Sequence, residues 1–423
     1  DEKQQDRFTR IQFMSSTNQT CIVIGASHAG SQLATAVRKE GWTGKIIVIG
    51  DEKPLPYHRP PLSKALLNGE KDASQIEILK APVYEKAEVE FKLGVRVTGL
   101  DASKKQVSLD NGETLSYDKL ALCTGARVRT LNIPGGQLKG VHYLRTLDDA
   151  LAIKQEVKPG GKAVIVGGGY IGLETAASLR KLGMEVTVLE MMNRVLERVT
   201  APELSDYYTK LHKRHGVNII TSAQALELKG TDQVQQVVCN ENRVLPADLV
   251  IIGIGVIPNT ELALEAGLKV DNGIIVDEFA QTSNPDIVAA GDVTFHPNNI
   301  LGYSLRLESV PNAMEQAKTA AASICGLQKA YHALPWFWSD QYNAKLQIAG
   351  MNRGYDRVIL RGNPDNDQFV AWYLKGNQIL AADCINSPKE FMAAKRIIAE
   401  KRAISEAALA NPAVDLAALL AAA

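Results

Sequence analysis

VIVGGGYIGLE, residues 164–174, decides the fold. A short apolar run leads into a glycine-rich turn and a helix-forming start, and Gly167, Gly169 and Gly172 fall in the spacing G-x-G-x-x-G. The first glycine permits a tight turn, the second lets backbone N–H groups approach a pyrophosphate, and the third lets helix and strand pack closely. Eighteen residues past Gly172 the next apolar run, EVTVLE, ends in Glu190, placed to accept the hydroxyls of an adenosine ribose. A strand-to-helix turn that binds nothing would explain the glycines but not this terminal acid. The stretch predicts a dinucleotide site.

The pattern occurs a second time upstream. The apolar run at 21–24 enters GASHAG, Gly25 to Gly30, and a helical stretch then leads to a second strand, KIIVIGDE, ending in Asp51 and Glu52. Ser27 stands where the second glycine belongs and adds a Cβ at the point of closest pyrophosphate approach, though Ser is small enough to be tolerated there. Asp51, twenty-one residues past Gly30, is the expected ribose ligand, with Glu52 second. His28, inside the loop, reads as a residue lining the turn rather than a base or metal ligand. Two loops imply two nucleotides, and the earlier one is assigned to FAD. In YHRPPLSK, residues 57–64, Pro60 and Pro61 stiffen the chain, Ser63 reads as a helix cap, and Lys64 is placed with a care that a flavin would explain.

Size and charge bound the remaining possibilities. A chain of 423 residues predicts about two to four domains. Lys plus Arg and Asp plus Glu each total 47, so no global field attracts nucleic acid or a membrane surface. Five cysteines, at 21, 123, 239, 325 and 384, contain no C-x-x-C and read as a reduced, cytoplasmic set. Apolar runs such as LVIIGIGVI at 249–257 are too short to span a bilayer. Residues 1–13, ahead of Met14, read as a disordered leader or appended extension.

Between and after the loops the chain alternates in character. Residues 89–122 are β-rich with a hairpin turn at Asp110, Asn111 and Gly112; 147–157 read as a helix, as does the stretch beginning near Pro202. His212 and His215 have a metal-like spacing, but Lys210, Lys213 and Arg214 around them would repel a cation, so a solvated helix face is expected. Gly253 and Gly255 close a further apolar strand. Gly291-Asp292 follows another and puts a carboxylate at a strand end, suited to a flavin ribityl hydroxyl. Ser309 and Asn312 flank Pro311 at a helix start, where a helix dipole would favour negative charge on a flavin ring. From about Tyr331 onward, PWFWSDQ and several short strand-like pieces predict a third, α+β domain, and the Ala-rich end at 403–423 reads as helical or frayed.

GASHAG, RPPLSK, CTGAR, YLRT, GGGYIGLE, RVLERVTAPE, GIGVIPN, AAGDV, RLESVPNAMEQA and PWFWSDQ, in this order over about residues 20–400, resemble the FAD-dependent ferredoxin reductases of bacterial oxygenase systems. The resemblance implies an α/β protein with two Rossmann-like dinucleotide-binding domains in a glutathione reductase-like arrangement plus a C-terminal α+β domain. The boundaries expected are 14–125 and 255–333 for the two FAD segments, 126–254 for the NAD domain and 334–423 for the C-terminal domain. Carried over by position, the FAD site comprises Gly25, Ala29, Gly30, Asp51, Arg59, Lys64, Val97, Arg145, Asp292 and Val310, with Trp338 near the isoalloxazine. The NADH site comprises Gly167, Gly169, Tyr170, Ile171, Gly172, Glu190 and Gly255, and Lys64 pairs with Glu174 beside the flavin as the catalytic pair. Ser27 and Cys123 depart from the usual Gly and Ala of the family's motifs.

The activity implied is hydride transfer from NADH to FAD, then single-electron transfers to a 2Fe-2S ferredoxin that feeds an oxygenase, most naturally a haem monooxygenase of the cytochrome P-450 type. No metal site and no nucleic-acid or membrane partner is expected. Glu190 should repel a 2′-phosphate and favour NADH, with Arg194 the nearby cation that could soften the preference. Lys318, Lys395 and Arg396 are candidates for docking an acidic ferredoxin. The competing expectations are reduction of another acceptor (rubredoxin, monodehydroascorbate or oxygen) and a flavoprotein resembling apoptosis-inducing factor.

Overall fold

A computed structural model describes residues 18–422; the leader assigned to 1–13 lies outside the described residues. The chain divides into two compact units. One contains the chain through His58, Ile76–Arg127 and Pro258–Pro335; the other contains Arg59–Gln75, Val128–Ile257 and the chain from Trp336 onward. Residues 59–75, expected within the first FAD segment, pack in the second unit.

The first unit is built on a five-stranded sheet with the order Ile287–Ala289, Lys119–Leu122, Thr20–Ile24, Lys45–Gly50, Val89–Leu93, every neighbouring pair parallel. Both faces are covered, which is why its strands read as unbroken apolar runs. Cys21 and Val23 face helices His28–Lys39 and Val310–Ile324, while Ile22 and Ile24 face the antiparallel strands Val97–Asp101 and Gln106–Leu109. The two helices meet on small side chains, Ala34, Ala317, Ala320 and Ala321, which lets them approach closely.

The second unit repeats the plan. Its parallel sheet has the order Asn218–Ile220, Glu185–Leu189, Lys162–Val166, Leu249–Ile252, Val141–Tyr143. Val164 and Val166 face a three-stranded meander through Leu228 and Val237. Ala163 and Ile165 face helix Tyr170–Lys181, and the same core continues into helix Pro202–Arg214 and the C-terminal sheet. That sheet is five-stranded and antiparallel, in the order Trp336–Gln341, Ala344–Gly350, Gln378–Ile385, Gln368–Lys375, Arg357–Asn363, with helix Pro388–Ala399 packed on it. Two helices expected from sequence are present, Leu147–Glu156 with a capping box at Thr146 and Asp149, and Val310–Ile324 with Ser309 accepting from the Asn312 N–H. The Ala-rich end forms the short helices Glu406–Ala410 and Leu416–Ala422.

Candidate functional site

Each unit presents one glycine-rich loop at the carboxyl end of its central strand. Gly25 has φ +112° and Gly167 φ +118°, a region open to glycine but strained for other residues. A Cβ at Gly25 would lie 2.0 Å from the Cys123 carbonyl oxygen, and one at Gly167 would lie 2.2 Å from that of Gly253. The Gly25 N–H donates to the Ile49 carbonyl at 2.8 Å, and the Gly167 N–H donates to that of Leu189 at the same distance. Gly30 and Gly172 close the loops: a Cβ there would meet the Gly25 oxygen at 1.8 Å or the Gly167 oxygen at 2.0 Å.

Both loops suit a dinucleotide. Each opens a helix of twelve residues with no acidic residue in its first turn, so no carboxylate of that turn competes for the partial positive end of the helix. At Gly169 nothing lies within 4 Å of where a Cβ would project, which leaves room for a phosphate to approach the backbone. Ser27 occupies the equivalent place in the first loop with extended backbone (φ −130°, ψ −154°), and its hydroxyl makes no capping bond to the helix. Glu190 immediately follows strand Glu185–Leu189, and its two oxygens accept from the N–H groups of Gly168 at 2.8 Å and Met192 at 2.7 Å. Those bonds hold the carboxylate rigidly at the strand end while leaving lone pairs for ribose hydroxyls. Asp51 is more open, with its side chain 60 % exposed and Arg96 at 3.5 Å. Glu52 accepts from the Tyr57 hydroxyl.

The expected site residues distribute between the units. Gly25, Ala29, Gly30, Asp51, Val97, Asp292 and Val310 belong to the first, and Arg59, Lys64, Arg145 and Trp338 to the second, which also contains the whole expected NADH set. Within the first unit the turn before Asp292 abuts the loop helix, because a Cβ on Gly291 would lie 3.1 Å from the Ala29 Cβ. Within the second, Arg59 donates to the Arg145 carbonyl at 2.7 Å. Ile171 is 47 % exposed and Gly255 opens onto free space. The Tyr170 ring instead turns inward against Phe337, centroids 5.0 Å apart, and its hydroxyl is buried, so this residue offers a phosphate its backbone N–H rather than its side chain. Trp338 lies on the other face of its strand, 5.6 Å from Trp336.

Lys64 and Glu174 do meet. Lys64 Nζ lies 3.0 Å from Glu174 Oε1, with the lysine side chain 18 % exposed and the carboxylate 2 %. Ser63, expected to cap a helix, instead ends the 3₁₀ turn Pro60–Ser63 and donates its hydroxyl to Glu174 Oε2 at 2.6 Å. Ser339 donates to Glu174 Oε1 at 2.6 Å. Helix periodicity explains the convergence, since Tyr170, Glu174 and Ser178 share one face, and Ser178 donates to the Ser63 carbonyl at 2.7 Å.

The expectation for His212 changes. His212 is not on a solvated face: it is fully buried, its Nε2 lies 2.8 Å from the Gln341 side-chain oxygen, and burial pushes its pKa down to about 4. The polar neighbours in sequence point outward while the 3.6-residue repeat turns His212 into the core beside Tyr208 and Leu211. Arg194 donates to the Thr200 carbonyl at 2.9 Å and the Ser205 hydroxyl at 2.5 Å. Lys318 and Arg396 have helical partners, Glu315 at 2.6 Å and Glu400 at 3.3 Å, while Lys395 sits over the Trp336 ring at 5.4 Å. His28 lines its loop as expected, its Nε2 3.2 Å from His58 Nδ1.

All five cysteines are unpaired with one another. Burial pushes the Cys123 thiol up to about 12 and Cys325 up to about 11, and raises Cys21, Cys239 and Cys384 as well, so none presents a thiolate at neutral pH. Among the described residues no cluster could hold a metal ion and no helix is long and apolar enough to cross a membrane.

The family model for pyridine nucleotide-disulphide oxidoreductases matches residues 19–317, and a reductase C-terminal model matches 336–420. The chain is 42 % identical to putidaredoxin reductase CamA of Pseudomonas putida over 412 residues, covering 96 % of this chain and 98 % of that protein. It is 40 % identical to a ferredoxin–NAD(P)+ reductase of a Sphingomonas species over 402 residues, 94 % of this chain and 97 % of that one. Among solved structures, the covalent putidaredoxin reductase–putidaredoxin complex matches with a TM-score of 0.93, covering 96 % of this chain and 99 % of that chain.

Proposed function

Because the chain belongs to the pyridine nucleotide-disulphide oxidoreductase family and is an FAD- and NAD(H)-dependent oxidoreductase, we propose that it carries electrons from NADH to a 2Fe-2S ferredoxin serving an oxygenase, specifically a haem monooxygenase of the cytochrome P-450 type. The observation that carries the reading is the combination of two dinucleotide loops with thiols that burial keeps protonated. Disulphide reduction needs a thiolate beside the flavin, and this chain offers none. Bound FAD supplies the exchange between a two-electron donor and one-electron acceptors.

The protein's own part is binding and electrostatics. In the first unit Gly25, Ala29, Gly30 and Asp51 would hold the FAD diphosphate and ribose, with Val97, Asp292 and Val310 as further contacts; Arg145, whose carbonyl accepts from Arg59, is the second unit's candidate for the same cofactor. Gly167, Gly169, the Tyr170 backbone, Ile171, Gly172, Glu190 and Gly255 hold NADH. Glu190, pinned by two backbone N–H groups, disfavours a 2′-phosphate. Lys64, with Glu174 as its buried counter-charge, and Trp338 are the second unit's candidates to meet the flavin ring, where the lysine would supply a positive charge. Lys395, which among the described residues has a ring contact with Trp336 rather than a carboxylate partner of the kind that Lys318 and Arg396 have, is the strongest of the three docking candidates.

The test is acceptor choice. The FAD-loaded protein with NADH should turn over fastest with a 2Fe-2S ferredoxin and pass electrons on to a haem protein, with rubredoxin, monodehydroascorbate and oxygen slower. Equal or faster turnover with rubredoxin would replace the ferredoxin assignment. Slow turnover with every acceptor, together with a long-lived charge-transfer band, would favour the signalling class of flavoprotein.

A further inference from the structure

We infer that Ser339, on strand Trp336–Gln341, is a positioning residue for the Lys64–Glu174 pair, acting as the last donor of a one-way hydrogen-bond chain that begins at His212. The inference rests on the proposed role of that pair at the flavin. The Glu174 carboxylate is buried, and a lysine on a flexible stem fixes its charge but not its plane. Its plane is set by two hydroxyls on separate segments, Ser63 on Oε2 and Ser339 on Oε1, each at 2.6 Å. Lys64 shares Oε1 with Ser339, so rotation of the carboxylate would break two bonds at once.

A serine hydroxyl has one hydrogen and could spend it elsewhere. Here it is directed. Gln341 Nε2 donates to Ser339 Oγ at 3.2 Å, which occupies the serine as acceptor and leaves its hydrogen for Glu174. The orientation of the Gln341 amide is in turn fixed by His212, whose Nε2–H donates to Gln341 Oε1 at 2.8 Å. His212 Nδ1 faces the Tyr342 hydroxyl at 3.5 Å, and burial favours the neutral imidazole that this pattern requires. Every donor in the series His212, Gln341, Ser339 points toward the carboxylate, an arrangement in which successive bonds polarise one another. Strand alternation puts Ser339 and Gln341 on one buried face with Phe337, against Tyr170 and Glu174 of the nucleotide-loop helix. The strand's own pairing, Ser339 with Leu346, is made by backbone, so the hydroxyl is not needed to build the sheet.

The test uses the FAD-loaded full chain and two readouts. In Ser339→Ala the limiting rate of flavin bleaching by NADH should fall about 10-fold, the size of one lost charge-assisted hydrogen bond, with the NADH concentration for half-maximal rate unchanged within about twofold. Ser339→Thr, which keeps the hydroxyl and suits a strand, should recover most of the loss. Independently of activity, acylation of Lys64 by an N-hydroxysuccinimide ester, read by peptide mass spectrometry, should quicken several-fold in Ser339→Ala and Gln341→Leu but not in Ser339→Thr. Unaltered Lys64 labelling in a Ser339→Ala protein with the parent's circular dichroism and melting point would overturn the inference. If Ser339→Ala does not fold, Gln341→Leu and Ser339→Thr carry the same comparison through Lys64 labelling. Faster labelling without any change in flavin bleaching would leave the positioning role standing and remove the pair's assignment to the flavin instead.

Discussion

The two dinucleotide loops make the same backbone bonds, so the place where they differ carries information. Position for position, Ala26 stands in one loop where Gly168 stands in the other, and Gly50 is the last residue of one strand where Glu190 follows the other, because the Ile49 and Leu189 carbonyls accept from the equivalent glycines. The two differences are one steric exchange. A Cβ at Gly50 would lie 2.5 Å from the Ala26 Cβ, whereas a Cβ at Gly168 would lie 2.9 Å from Glu190 Oε2 and 3.1 Å from its Cβ. Either the loop residue has a side chain or the strand-end residue does, and not both. In the first loop the acid therefore moves one residue on, to Asp51, and becomes exposed; in the second it stays at the strand end, held by two backbone N–H groups. The lesson is that one backbone plan can set two acids near a strand end, one exposed and one held by backbone N–H groups, by moving a single methyl group.

The largest expected effect tests which loop serves which nucleotide. Gly25→Ala forces a Cβ to within 2.0 Å of a carbonyl at positive φ and should yield protein without bound FAD, read as loss of flavin absorbance. Gly167→Ala imposes almost the same clash and should keep the flavin while weakening NADH by about 100-fold or more. If both substitutions remove the flavin, the division of labour fails.

Each unit also buries a neutral histidine, and acid should expose the likeness. His212 in the second unit and His296 in the first are both pushed down to about 4 by burial. For a base whose folded pKa is lowered, the unfolded chain binds more protons between the two values, so stability is lost as pH falls from about 6.5 toward 4, on the order of 3 kcal/mol for each histidine. Asp383, buried and raised to about 6, works the other way, losing stability as pH rises through that value. Thermal melts of His212→Asn should show a shallower loss on acidification than the parent; an identical slope would show that His212 is not the titrating group.

The exchange itself predicts smaller effects. Gly50→Ala should cost about 1–3 kcal/mol by overpacking, and Ala26→Gly should return most of it, a coupling that a double-mutant cycle reads directly. Additive effects would break the steric link drawn between the two positions. Smallest, Glu190→Ala should narrow the NADH over NADPH preference about 10-fold, since it removes a charge and strands two backbone donors at a partly exposed site. An unchanged ratio would take Glu190 out of the selectivity.

Much of this was legible from residues alone. The loops, their strands and helices and the acid at Glu190 follow from spacing, while the pairing of Lys64 with Glu174 comes only from the family resemblance. What escaped was polar and buried. Ser63 looked like a cap because Ser before an apolar run usually is one, and only the contact with Glu174, more than a hundred residues away, reveals its use. His212 was hidden by charged neighbours. Ser339 and Gln341 did leave a trace, polar residues alternating on the face where Phe337 is apolar, but the tryptophans beside them dominated the reading. The exchange between Ala26 and Gly168 is invisible in one dimension, since it depends on a through-space contact between loop and strand end.

The most direct test of the central claim is a stoichiometry. Under anaerobic conditions the FAD-loaded protein, given limiting NADH and excess oxidised 2Fe-2S ferredoxin, should reduce about two ferredoxins per NADH, with no change in free thiol count. Ferredoxin that stays oxidised while NADH is consumed, or thiols that appear in step with it, would contradict the account.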